Sequence, residues 1–408
     1  PRSILQGYVV QNGGTQTNES RVIALPTARV NADWPQSIGT PATRAAHPSL
    51  AAAPALIWSA DIGAGDSRKA RITANPVVQG GRIFTLDAGA LVSATSESGA
   101  RLWQVDVKPA RGNDGEATGG GLAVSGDTVF VSHGFGVLVA LDATSGAEKW
   151  RQMLGATGSG APSVYEGLVY VTAGDDTGYA LDAKTGRIVW ETSAPENVHN
   201  VLGAPAPAIT EDFAIFGFGS GDVQAIFRRG GLRRWGTAVV GERIGSALAK
   251  VGDVTGAPVV FGQTIYVGNQ AGRLVALDLA SGDRIWTALE GTIGPVLPLG
   301  NSVFAVSDRN ALIRFDAETG AQIWSKELPN FVKDRPRKRA EVFVNYGPIL
   351  AGGRIYVASS DGVLRGFDPK DGALVAQIDI PGGATTAPVV AGGVLYVVSA
   401  KGVLHALR

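Results

Sequence analysis

The chain has 408 residues, 45% of them apolar and 18% charged, and its 36 basic and 36 acidic side chains cancel. That balance leaves no global positive field to collect a phosphate backbone or an acidic membrane, so nucleic acid is not an expected partner. Without cysteine there are no disulfides, thiolate zinc sites, iron–sulfur clusters or cysteine nucleophiles, and no apolar run reaches the ~18 residues that cross a bilayer as a helix.

Residues before about Asn31 carry no periodic pattern, and the polar, glycine-bearing stretch Gln11 to Ser20 reads as a linker or tether. The chain opens at Pro1 and has Met153 as its single methionine, which suggests a processed amino end, with a signal peptide and a lipidated cysteine as candidates upstream. Asp33-Trp34-Pro35-Gln36 is expected to pack across the rim of the body that follows. Ala55 to Ala60, carrying Trp58, reads as a strand with no blade of its own.

From Trp58 onward a repeat takes over. Seven of the eight tryptophans fall at 58, 103, 150, 190, 235, 286 and 324, and a glycine stands four residues before each from the second onward: Gly99, Gly146, Gly186, Gly231, Gly282 and Gly320. A further window keeps Gly372 but has Ala376 in the tryptophan place. Aspartate precedes that place by eight residues in Asp142, Asp182, Asp278, Asp316 and Asp368, with Thr95 and Phe227 as exceptions. A carboxylate that caps its own turn, followed by a glycine in the left-handed region, closes a hairpin. Upstream segments such as Leu168 to Val171, Ile265 to Val267 and Ile355 to Val357 are β-branched and aromatic, as strands are.

Four short strands per 40 to 50 residues is the pattern of a propeller blade. The last unit, Pro388 to Arg408, stops where its turn aspartate belongs and lacks an outermost strand, which the strand holding Trp58 supplies. The expected fold is therefore all-β, an eight-bladed antiparallel β-propeller over residues 54–408 with residues 1–53 as tether and rim segment. The tryptophans read as packing between blades, not as a cofactor platform.

Chemistry-bearing motifs are scarce. His47, His133, His199 and His405 show no metal-ligand spacing, and no Gly-x-Ser-x-Gly elbow occurs. Gly217-Phe-Gly219-Ser-Gly221 is followed by strand and not by a helix, so it reads as a turn between strands. The repeated aspartates read as turn caps and Asp175-Asp176 as a solvated hairpin tip. Lys333 to Arg339 is a basic run, read as a solvated loop ahead of a docking patch for an acidic partner. Glu242 to Val251 reads as a short helical stretch in a long connection.

The windows Leu141-Asp-Ala-Thr-Ser-Gly-Ala-Glu-Lys-Trp150, Leu181 to Trp190 and Phe315 to Trp324 resemble the quinoprotein (PQQ-like) propeller repeat. Within that superfamily the order Gly203-Ala-Pro-Ala-Pro, Gly221-Asp-Val-Gln-Ala, Gly252 to Pro258 and Leu274 to Gly282, together with the end Lys401 to Arg408, is similar to the BamB family of outer-membrane assembly lipoproteins. That resemblance implies a non-catalytic periplasmic scaffold without cofactor or metal. Its expected partners are the soluble domains of BamA and nascent outer-membrane proteins, and a lipid anchor upstream would hold it at the outer membrane. The alternatives are a PQQ-dependent quinoprotein oxidoreductase and a propeller sensor or adaptor of unknown partner.

The family contact with BamA, a Leu-x-Leu-Arg stretch and an acidic Asp-x-Asp pair, carries over to His199, Asn200, Val201 and Leu202 before Gly203, and to Asp253 and Thr255. Leu202 stands in place of the arginine and Thr255 in place of the second acid. Arg243 and Lys250 supply positive charge nearby. Propeller geometry places these stretches together, because every connection from an outer strand to the next blade emerges on one face. The loops after Trp190, Trp235 and Trp324 share it, and such loops carry binding residues disproportionately.

Overall fold

The computed structural model describes residues 18–109, 119–156, 158–195, 204–239, 254–333, 335, 339 and 341–408. Within them the chain forms eight four-stranded antiparallel sheets and no helix. Seven sheets are consecutive in sequence, spanning 77–106, 120–153, 163–193, 208–238, 259–288, 297–327 and 345–379, and are numbered blades 1 to 7 in that order. Blade 8 takes three strands from 389–407 and its outermost from β1 (Leu56–Asp61), which pairs antiparallel with the last strand, β32 (Val403–Leu407). The closure expected from Trp58 is what the topology shows. The short helix expected at Glu242 to Val251 lies outside the described residues.

One cross-strand ladder recurs in the blades. In blade 2, Phe130 pairs with Ala140 and Ala140 with Trp150; in blade 3, Tyr170, Ala180 and Trp190 repeat it, as do Tyr266, Ala276 and Trp286 in blade 5. The small central residue lets the two rings meet over it, tilted, with centroids 5.9 Å apart in all three blades. A bulge lies at the residue before the tryptophan in these outer strands, and Ile57, Leu102, Val189 and Ile285 are exposed there, as Val375 is beside Ala376; in blade 6 the equivalent Ile323 is buried.

Each indole then crosses to the next blade. A Cβ added at Gly146, Gly186, Gly231, Gly282 or Gly320 would lie 2.5–2.8 Å from the preceding blade's tryptophan, and all five glycines have φ between 71° and 75°. Glycine is thus required twice over, by the left-handed turn and by the ring against it. Six of the seven indoles donate Nε1 to a carbonyl of the same turn, as Trp150 does to Ala183 O at 3.0 Å and Trp286 to Ala317 O at 2.9 Å, while Trp324 does not. The turn aspartates are held locally: Asp142 accepts from the Thr144 and Ser145 amides and from the Ser145 hydroxyl. Those bonds, the Ser145 hydroxyl first, lower its carboxyl below the usual range. Asp182, Asp278 and Asp316 repeat the arrangement.

The amino-terminal segment does more than cross a rim. Trp34 exchanges both backbone bonds with Val78 of blade 1, Pro35 O accepts from Val124 of blade 2, and the Gln36 amide brackets Val164 of blade 3 at 2.8 and 3.0 Å. Pro41 and Ala42 accept from Ile209 and Val260 of blades 4 and 5. Arg44 donates to the Pro295 and Val296 carbonyls of blade 6, and Pro48 and Asn31 meet blades 7 and 8 through Gly352 and Gly392. Residues 31–48 therefore touch the innermost part of all eight blades in ring order and close the channel at the end where the first strand of each blade turns into its second. Burial lowers the Arg44 guanidinium to about 10. Residues 18–25 lie against blades 6 and 7, where Arg314 replaces the ladder alanine. It is fully buried and donates to Arg21 O at 2.6 Å and to the Pro369 and Lys370 carbonyls.

His133, at the end of the second strand of blade 2, is buried with Nε2 on Val107 O at 3.2 Å while Nδ1 accepts from Phe135 N. Burial pushes its pKa down to about 4, against the opposing pull of the Val107 carbonyl. Because the unfolded chain takes up this proton near pH 6.5 and the folded chain only near 4, the contribution of His133 is complete above pH 6.5. It declines as pH falls through that window, by on the order of 3 kcal/mol. Urea midpoints measured from pH 7 to 4 should flatten in His133→Gln; an unchanged slope would assign the acid sensitivity to other groups.

Candidate docking face

The connections that leave each outer strand begin alike. The first residue past the strand donates its amide to the turn between the second and third strands of its own blade: Ala194 to Asp176 O, Val239 to Gly221 O and Leu328 to Asn310 O, at 2.8–3.0 Å. Outer-strand exits and these turns thus share one face, opposite the end closed by residues 31–48. The connections of blades 3, 4 and 6 run over 194–207, 239–258 and 328–344.

Of the residues carried over as a contact, Thr255 is placed: it is half-buried, donates Oγ1 to Thr292 O at 2.8 Å and lines the mouth of the channel. His199, Asn200, Val201, Leu202, Arg243, Lys250 and Asp253 lie outside the described residues. What is placed is the frame on either side of them. Val254 is buried, bonds Phe218 O and bridges to Asn269. Fully buried Asn269 donates Nδ2 to Val239 O at 3.0 Å and accepts from Arg273 N. A single asparagine thus holds both described ends of the blade 4 to blade 5 connection.

Asp176 departs from the solvated tip that its sequence suggests. It is 1% exposed with φ +59°, and its carboxylate accepts from Gly219 N at 2.6 Å and Ser220 N at 2.9 Å, in the turn of the next blade. The Gly-Phe-Gly-Ser-Gly turn of 217–221 does cradle an anion, and the anion is this protein's own. The pair fixes blade 3 to blade 4. Of the basic run, Lys333, Arg335 and Arg339 are among the described residues. Phe331 bridges to Val342, Val332 N bonds Glu341 O and Phe343 N bonds Asn330 O, so the residues on either side of the run pair antiparallel. Lys333, Arg335 and Arg339 are exposed there, with the Arg339 guanidinium 4.7 Å from the Phe331 ring centre.

On this face the channel opens into a cavity of about 170 Å³ whose described lining includes Ser37, Thr73, Gly120, Ala161, Pro205 and Thr255. It is small beside the ~300 Å³ and upward of ordinary ligand pockets.

The family model described as outer membrane protein assembly factor BamB matches residues 88–326 and 329–408, which is the last two strands of blade 1 and, save residues 327 and 328, everything after them. The chain belongs to the BamB family. It is 25% identical to the Yersinia pestis outer membrane protein assembly factor BamB over 329 residues, 79% of this chain and 81% of that one. The structure of BamB from Moraxella catarrhalis superposes with a TM-score of 0.71 at 20% identity, covering 87% of this chain and 99% of that one. A quinohemoprotein alcohol dehydrogenase from Comamonas testosteroni shares the fold, with a TM-score of 0.65 at 16% identity over 92% and 80% of the two chains.

The quinoprotein alternative raised by the repeat makes PQQ and a divalent ion worth testing against this BamB-family channel. The group is a planar quinone with three carboxylates. Among the described residues the channel cavity is lined by glycine, alanine, proline, serine and threonine, with no carboxylate for a divalent ion and no cation for the quinone's acids. Ser37 enters it from the closing segment, and Ile38 packs just beside it against Val259 and Val296. These residues do not fit the group.

Proposed function

We propose that this protein is a non-catalytic scaffold of outer-membrane protein assembly that works by docking onto the periplasmic domains of BamA. The observation that carries the reading is the family match, which runs through the blades on either side of the proposed contact. A scaffold without chemistry acts through contact area, and interfaces concentrate their energy in a few central residues. Val201 and Leu202 are the apolar anchors of this reading, with His199, Asn200 and Thr255 as further contacts. Asp253, Arg243 and Lys250 are the charges that orient the partner and set its association rate. The buried, hydrogen-bonded frame of Asp176, Asn269 and Val254 supports the reading, since a pre-organised platform loses less on binding. The protein acts at the periplasmic face of the outer membrane, held there by a lipid anchor upstream, and nascent outer-membrane proteins pass beside it. Titrating purified BamA periplasmic domains against the folded chain should give saturable one-to-one binding without added cofactor. Absence of binding at ~100 μM, a concentration that detects even weak protein pairs, would overturn it.

A further inference from the structure

The turn between the third and fourth strands of blade 4 departs from its counterparts. In blades 1, 2, 3, 5, 6 and 7 that turn carries a carboxylate, from Glu97, Asp142, Asp182, Asp278, Asp316 and Asp368 respectively. In blade 4 it runs Phe227-Arg-Arg-Gly-Gly-Leu-Arg-Arg-Trp235, with four arginines and no acid. The backbone keeps the same path: Gly231 N donates to Phe227 O at 2.9 Å with φ +71°, as Gly146 N does to Asp142 O at 2.8 Å with φ +75°. Only the capping carboxylate is given up, so the geometry of the turn does not account for the change.

Packing accounts for one arginine of the four. Arg228 is buried, donates to Glu166 at 2.6 Å and to Glu211 O, and lies over the Tyr165 ring. Arg234 gives one bond to Ala280 O at 3.3 Å and is otherwise exposed. Arg229 is 83% exposed, 3.8 Å from Glu166, and exposed Arg233 pairs with no acid among the described residues. Apolar side chains share the tip, where Leu232 is 72% and Phe227 42% exposed. Phe261, on the turn between the first two strands of blade 5, is exposed at the same end of the ring, and the two blades join there through Trp235 on Leu279 O and Leu279 N on Gln263 O.

A projecting turn of this composition encloses no ligand, but it fits a surface that is apolar beneath a layer of negative charge. Leucine and phenylalanine enter the headgroup boundary while the long arginine stems keep their guanidinium groups at the phosphates. An acidic protein would attract the arginines equally and leave Leu232 with nothing to bury it. Glu211 and Asp212 are exposed on the inner turn of the same blade, so the positive charge is confined to the outer rim.

We propose that this arginine hairpin of blade 4 binds the surface of an anionic phospholipid bilayer. It lies at the end closed by residues 31–48, opposite the candidate docking face, and it stands independently of how BamA is held.

The test is co-sedimentation of the full chain with vesicles of phosphatidylglycerol and phosphatidylcholine, against vesicles of phosphatidylcholine alone. Binding to the anionic vesicles is expected to be at least about 30-fold tighter, at about three- to fivefold per exposed arginine, and to weaken as salt is raised. Arg229→Gln with Arg233→Gln should weaken it about tenfold or more, with Tm unchanged because both side chains are exposed. Leu232→Ser should weaken it about fivefold at low and high salt alike, which a purely electrostatic contact would not show. Equal binding to neutral vesicles or full binding by the arginine variant overturns the proposal. Full binding by Leu232→Ser overturns it as well, in favour of an acidic protein as the partner.

Discussion

Replacing Trp286 with alanine is expected to destabilise the protein by about 3–5 kcal/mol, read from urea unfolding at constant slope. The ring is 1% exposed, tilts against Tyr266, lies on Gly320 of the next blade and donates to Ala317 O. Truncation removes packing within blade 5 and across the junction to blade 6 in one step, and the left-handed Gly320 turn cannot collapse into the space without breaking its bonds to Asp316. Trp190 is only half-buried, so Trp190→Ala belongs at the lower end of the range. A loss below about 1 kcal/mol for Trp286 would show that the indoles do not bind the blades together.

A chain beginning at residue 62 should fail to remain a soluble monomer. It loses β1, which covers β32, and the segment 31–48, which links the inner strands of all eight blades. The exposed edge would be Val-Leu-His-Ala-Leu, apolar and unpaired, the type of edge that recruits a strand from another molecule. Size-exclusion chromatography with light scattering distinguishes the outcomes: aggregates or oligomers are expected. A monomer with the parent's thermal midpoint would mean that the ring does not depend on its amino-terminal segment.

The ring itself was legible because its signals are local and repeated. The aspartate and glycine of each turn act within five residues, and the tryptophan interval counts blades directly. What escaped sequence reasoning works through single, non-repeated contacts. Residues 31–48 hold eight blades mainly by backbone bonds, which leave no side-chain period to read. Asp176 looks like any hairpin acid until the next blade's amides come into view. Two departures were nonetheless visible in the repeat text. Arg314 stands where Ala94, Ala140, Ala180, Ala225, Ala276 and Ala406 stand, and it marks where the amino-terminal segment docks. Gly366 and Ala376 thin the ladder of blade 7, whose Tyr356 packs with blade 8 and Leu50 instead of under an indole. The candidate contact was legible only through family resemblance, since Val201, Leu202 and Asp253 belong to no repeat.

The scaffold reading is tested most directly by measuring BamA periplasmic-domain affinity for three chains side by side: the parent, Val201→Glu with Leu202→Glu, and Asp368→Asn. Asp368 caps a turn on blade 7 at the opposite face, through the Lys370 amide at 2.7 Å. Two buried carboxylates in an apolar contact should weaken binding at least about 100-fold with the thermal midpoint unchanged, while Asp368→Asn binds like the parent. Full-strength binding by the double variant, with binding lost in Asp368→Asn, would contradict the account and move the docking surface to the other face.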